Sequence, residues 1–130
     1  MKFNSQICTS KSQSERLLAL GLKKETADMH YHWLVCNEWP KLFLQFNPPQ
    51  LYDIPAWSLH RLIEMMPQWI DTTEDSLKLT IDQGKLVCYR RISDEVQTFV
   101  FGHTSLYDSI IDTIGKLIKE GYFNKEYLEE

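Results

Sequence analysis

Apolar residues recur along this chain with two different periods, and the changes between them predict the order of elements. Leu106, Tyr107, Ile110, Ile111, Ile114, Leu117 and Ile118 form a broad helical stripe and predict a long amphipathic helix over 105–120. Asp108 stands near its positive end, Lys116 and Lys119 near its negative end, and Gly121 where a left-handed cap is wanted. Leu59, Leu62, Ile63 and Met66 repeat at i, i+3, i+4, i+7 and predict a shorter helix over 56–66. Pro55 and Trp57 mark its entrance, Ser58 caps its first turn, and Pro67 stops it. Ser12 and Glu15 match a capping box and predict a third helix over 12–20, with Leu17, Leu18 and Leu20 as its apolar side and Gly21 at its end.

Elsewhere the period is two. Tyr31, Trp33 and Val35 alternate with His32, Leu34 and Cys36, which predicts a strand with one aromatic-rich face, and 41–46 reads as a second strand. Leu77, Leu79 and Ile81 alternate with Lys78, Thr80 and Asp82. A hairpin turn at 82–85 containing Gly84, a return strand over 86–92 and a third strand over 96–101 complete an antiparallel meander. Residues 6–9 read as a short strand, 26–29 as opening with a helical turn, and 125–130 as a frayed tail. The expected architecture is an α+β domain spanning 1–130, with an antiparallel sheet of about four to five strands and about three helices packed mainly on one face.

Composition narrows the class. Among 130 residues, 43% hydrophobic and 25% charged is an ordinary globular balance, far from chains that stay disordered. A net charge of -4 argues against a nucleic-acid binder, which concentrates Lys and Arg to neutralise phosphate. Cys8, Cys36 and Cys88 are odd in number and contain no Cys-x-x-Cys pair, so neither a disulfide framework nor a zinc ribbon is expected, and a reducing cytoplasm is the simplest setting. The first residues lack the apolar core of a signal peptide, and no apolar run approaches the roughly 20 residues that span a bilayer.

Three stretches carry a resemblance: Thr9 to Leu22 continuing through Thr26-Ala-Asp-Met29, Ile54-Pro-Ala-Trp-Ser-Leu59 with its helix to Pro67, and the final amphipathic helix ending Glu120-Gly-Tyr122. In order and spacing they resemble a family of small uncharacterised proteins from prophages and mobile elements of gut bacteria of the Bacteroides group. The resemblance implies a genomic setting and transfers no activity or site residue. The segment from Tyr31 to Phe46 has no counterpart in it.

Candidate chemistry is sparse. Asp28, His30, His32, Cys36 and Glu38 share one face of a continuous strand, and imidazole, thiolate and carboxylate are competent metal ligands. His30, His32 and Cys36 are the centre of that reading, and His60 or His103 would have to close the site. The preferred alternative buries Met29, Tyr31, Trp33 and Val35 and leaves the histidine face in water, with no metal and no cofactor. A cysteine nucleophile needs a histidine base beside it, and the sequence supplies no such placement; Cys8 and Cys88 read as core residues. The glycines form no phosphate-binding loop. Arg90 and Arg91 point to opposite faces of their strand and form no patch by themselves. Trp57 and Trp69 read as core anchors beside helix ends, whereas Trp39, followed by Pro40, reads as an exposed loop aromatic.

The leading expectation is a non-enzymatic protein-interaction or regulatory module of a phage or mobile element. It binds an unidentified protein partner through Tyr31, Trp33, Trp39, Phe43 and Phe46, with a homo-oligomer also compatible. The competing expectation is a small metal- or cysteine-dependent enzyme centred on His30, His32 and Cys36. A third is weak nucleic-acid binding.

Overall fold

The computed structural model describes residues 6–36, 39–45, 54–72, 75–82, 85–102 and 105–130, with the backbone alone for 32–36 and 39–45. The chain is α+β: among the described residues, three α-helices accompany seven strands in two antiparallel sheets. The strands that the alternating pattern drew as one sheet divide between two compact units, Met1–Leu62 with Tyr127–Glu130 and Ile63–Glu126.

In the first unit, helix α1 (Lys11–Ala19) opens on a capping box. Its partners are Ser10 and Gln13 instead of Ser12 and Glu15: Gln13 N–H donates to Ser10 Oγ (3.2 Å) and Ser10 N–H to Gln13 Oε1 (2.9 Å). Both serines satisfy the sequence rule, and starting at Ser10 buries Ser14 and Leu17. Ser14 Oγ then lies 2.8 Å from Thr9 Oγ1 inside the protein. At the other end Gly21 takes φ +103°, so that Gly21 N–H reaches Leu18 O (3.0 Å) and Leu22 N–H reaches Leu17 O (3.2 Å).

A 3-10 turn at Lys24–Thr26 leads into β1 (Met29–Cys36), followed by β2 (Trp39–Gln45) and β3 (Ile54–Ala56). The order is β2-β1-β3, antiparallel throughout. Pro55 therefore lies in an edge strand opposite His30 and is no helix entrance. An edge strand tolerates its missing N–H. Helix α2 (Leu59–Met65) is correspondingly shorter than 56–66. Its cap is the expected Ser58, whose Oγ accepts from Arg61 N–H (3.1 Å). Ser58 is itself fixed by Asp28, which accepts from its N–H (2.9 Å) and its hydroxyl (2.5 Å).

Trp57, 0% exposed, ties these pieces together. Its N–H donates to Thr9 Oγ1 (3.0 Å), its carbonyl accepts from Thr9 N–H (2.9 Å), and its indole N–H donates to Thr26 Oγ1 (3.0 Å). Beside it Cys8, Met29 and Ala56 form an apolar cluster against which Tyr31 packs. The last residues are no frayed tail. Lys23 N–H donates to Tyr127 O (2.8 Å), Glu129 N–H to Gly21 O (2.7 Å), and the Arg61 guanidinium lies over the Tyr127 ring. These last residues are paired with Gly21 and Lys23 just after α1, so backbone groups that solvent would otherwise satisfy are bonded within the unit.

The second unit holds β4 (Trp69–Asp71), β5 (Ser76–Asp82), β6 (Leu86–Arg91) and β7 (Gln97–Gly102), hydrogen-bonded in that order, and α3 (Leu106–Glu120), which packs on β6 and β7. The meander and the helix follow the sequence pattern, and Gly121 caps α3 at φ +81°. The three-residue β4 carries too little alternation to be read in advance. Gly84 lies outside the described residues. Ile70, Leu77, Val87 and Tyr89 are buried on one face of the sheet. Tyr89 is 0% exposed, and its hydroxyl donates to Pro67 O (2.7 Å). Register slips between Val87 and Tyr89, and Phe99 opposite this bulge takes φ +51°. For a bulky side chain such a conformation costs about 1–3 kcal/mol, held in place by its surroundings. The Phe99 ring meets Tyr89 and Tyr122 edge-on, each with centroids 6.2 Å apart. Among the described residues no helix is long and apolar enough to cross a membrane.

Candidate functional site

The segment expected to bind a partner becomes an antiparallel ribbon. Tyr31 pairs with Leu44, His32 with Phe43, Trp33 with Leu42, Val35 with Pro40 and Cys36 with Trp39. Trp39 therefore opens a strand and is no loop residue. Phe46 lies outside the described residues, as do the side chains of His32, Trp33, Cys36, Trp39 and Phe43. Tyr31 is half-buried and committed inward: its hydroxyl donates to Thr9 O (3.0 Å) and lies 3.3 Å from Cys8 Sγ. What the ribbon offers outward is the backbone of β2. It pairs with β1 on one side and, among the described residues, with nothing on the other. Pro40 and Lys41 near its start are residue types that edge strands favour, since proline donates nothing to a ladder and lysine resists uncontrolled pairing.

His30 departs from the solvated face expected of it. His30 is 4% exposed because β1 is the central strand, flanked by Gln45 on one side and Pro55 on the other. The Asp28 carboxylate spends both oxygens on Ser58. Among the described residues no three His, Cys, Asp or Glu side chains converge as metal ligands, while Glu38, His103 and the side chains of His32 and Cys36 fall outside that set. Cys8 and Cys88 are both buried. Desolvation pushes both thiols above their ordinary pKa; Tyr31 partly offsets this at Cys8, while at Cys88 Asp82 adds to it and Arg90 opposes it. Neither thiol is poised as a nucleophile at neutral pH, since the thiolate is the reactive form. Titration with an aromatic disulfide reagent is expected to leave Cys8 and Cys88 unmodified in the folded protein and to modify both in denaturant. Rapid native labelling of either, read by peptide mapping, would contradict this placement.

The second unit brings together residues that no local pattern joined. Trp69 on β4 pairs with Lys78 on β5, Lys78 with Arg90 on β6, and Arg90 with Gln97 on β7. Directly paired residues project from the same face, so these four form one row across the sheet. Arg91, paired with Leu77, belongs to the opposite face, in agreement with the alternation read from the sequence. Trp69 is 47% exposed, against the core position expected for it, because its strand partner Lys78 lies on the open face and Ile70 takes the buried one. A concavity of about 510 Å³ borders the row, lined in part by Lys78, Thr80, Arg90, Ile92 and Glu95. A second, of about 360 Å³, lies among Thr72, Asp75, Leu77, Arg91, Phe99 and Tyr122. At its rim Asp75 holds the loop that bears Ser93: it accepts from Ser93 Oγ and N–H and from Ser76 N–H. These bonds, the Ser93 hydroxyl first, keep its carboxyl below the usual carboxylate pKa.

No protein-family model, curated protein or solved structure matches the chain.

Proposed function

We propose that this chain is a non-enzymatic protein-interaction module that pairs an extended segment of a partner protein with the outer edge of β2. The observation carrying this reading is the position of β2: seven residues of strand at the end of a sheet whose centre and opposite edge are filled by β1 and β3. An added strand gains affinity from main-chain hydrogen bonds, while side chains at alternate positions supply selectivity. The sequence of β2, Trp-Pro-Lys-Leu-Phe-Leu-Gln, is rich in the aromatic and aliphatic residues suited to that second task. The resemblance to mobile-element proteins and the cysteine pattern support a bacterial cytoplasm as the setting of this activity.

Affinity capture with the wild type and a Trp39→Ala/Phe43→Ala double variant tests the reading. The variant is expected to bind the captured partner about tenfold or more weakly, as for truncated aromatic hot spots. The purified partner is also expected to slow amide hydrogen exchange in β2. A double variant that keeps the same partners, with β2 amides unprotected in the complex, overturns the proposal.

A further inference from the structure

We propose that the exposed face of the four-stranded sheet binds a nucleotide, with the phosphate between Lys78 and Arg90 and the planar base against Trp69. The inference is independent of the partner-binding edge of β2. Its first support is a conflict within the row. Lys78 and Arg90 stand directly opposite each other, an arrangement of like charges that destabilises a strand pair. Arg90 is partly offset, its Nη2 donating to Asp82 Oδ2 (3.1 Å). Among the described residues Lys78 has no carboxylate partner; its ammonium lies 5.7 Å from the Trp69 ring centroid. An anion between the two cations removes the conflict.

The second support is the unused hydrogen-bonding capacity of Arg90. Its Nε is buried and has no partner among the described residues, so the side-on fork formed by Nε and Nη2 is only half used. A guanidinium fork is shaped for two oxygens of one phosphate or carboxylate group. The Arg90 side chain remains 36% exposed, which leaves it room to turn toward such a group. The concavity of about 510 Å³ beside Lys78, Thr80 and Arg90 is within the size range of small-molecule sites.

Trp69 decides between a bare anion and a nucleotide. It ends the row as a half-exposed indole, two strand spacings or about 10 Å from Arg90. A base stacked there directs its own phosphate back along the row toward Lys78. Base stacking on aromatic side chains tolerates any base, because each offers a π-face. With Asp82 counted, the row has a surplus of one positive charge; Arg91 and Glu95, which also line the concavity, offset each other, and the chain as a whole carries -4. The site is accordingly suited to one nucleotide unit and not to a long tract of nucleic-acid backbone.

The test titrates the full chain at low ionic strength with adenosine 5′-monophosphate, adenosine, inorganic phosphate and a ten-residue oligothymidylate, read by amide and indole NMR shifts. The monophosphate is expected to shift β4, β5 and β6 together with the Trp69 indole. Adenosine and phosphate alone are expected to bind at least about tenfold more weakly, as are the Trp69→Ala and Lys78→Gln variants. Lys78→Arg is expected to retain binding. Unchanged α3 signals in the variants show that the unit still folds. Tighter binding of the oligonucleotide with a salt slope near one, about 0.7–0.9 for one neutralised phosphate, identifies a strand as the source of the nucleotide; equal or weaker binding identifies the free nucleotide. No shift in β4 to β6 with the monophosphate or the oligonucleotide overturns the proposal. So does phosphate binding as tight as the monophosphate, or binding unchanged by both variants.

Discussion

Replacing Trp57 by alanine is expected to lower the unfolding free energy by about 3–5 kcal/mol, the range for removing a large aromatic from a packed interior. The side chain has no exposed surface, so its loss leaves a cavity. The damage extends to polar groups: Thr26 Oγ1 loses the indole N–H, and Thr9 and Asp28 hold the backbone on either side of the ring. Trp57→Phe keeps most of the volume and breaks the indole bond, for an expected cost of about 1–3 kcal/mol. Thr26→Val combined with Trp57→Phe should cost less than the sum of the two, because each removes the same bond. Urea unfolding followed by circular dichroism measures the four variants, Thr26→Val alone included. A loss below about 1 kcal/mol for the alanine variant would mean that Trp57 is not the anchor of this unit.

Tyr89 holds the equivalent place in the second unit, and Tyr89→Ala is expected to cost about 3–5 kcal/mol. Tyr89→Phe isolates the hydroxyl, whose loss leaves Pro67 O without its donor, at an expected cost of about 1–3 kcal/mol. Tyr89 also predicts an alkaline limit. Burial raises its folded-state pKa well above that of an exposed tyrosine. Below about pH 10 the phenol is neutral whether the chain is folded or not, and stability does not depend on it. As pH rises past about 10, the unfolded chain releases a proton that the folded chain keeps, and stability falls by up to about 1.4 kcal/mol per pH unit. The decline is expected to flatten in Tyr89→Phe. Urea midpoints between pH 8 and 11 read this directly, and equal slopes for wild type and variant would refute it.

The parts of the fold that were legible in the sequence are those encoded locally. The seven apolar residues of α3 and its Gly121 cap lie within one helix and its first residue beyond, and β5 alternates apolar with polar residues while short hairpin connections join it to β6 and β6 to β7. What was not legible depends on partners distant in sequence. Ile54–Ala56 reads as a helix entrance until β1 is there to pair with it, and three residues at 69–71 become a strand only beside β5. The capping box slipped from Ser12 to Ser10 because the decisive contact, Ser14 to Thr9, is between side chains. For the same reason the Trp69–Lys78–Arg90–Gln97 row was invisible: it exists only as a register across four strands. Arg90 and Arg91 were correctly read as facing apart, and the residue that completes a basic pair with Arg90 is Lys78, from the neighbouring strand.

The pairing of Tyr127 with Lys23 and of Glu129 with Gly21 makes the first unit discontinuous in sequence. Because Ile63–Glu126 is interposed between the two portions of the other unit, a ribosome has delivered the whole of β4 to α3 before it supplies the residues that close against Gly21 and Lys23. The unit containing Trp57 is thus closed by residues that lie far apart in sequence, and without the last four residues two of its backbone groups, Lys23 N–H and Gly21 O, stay open.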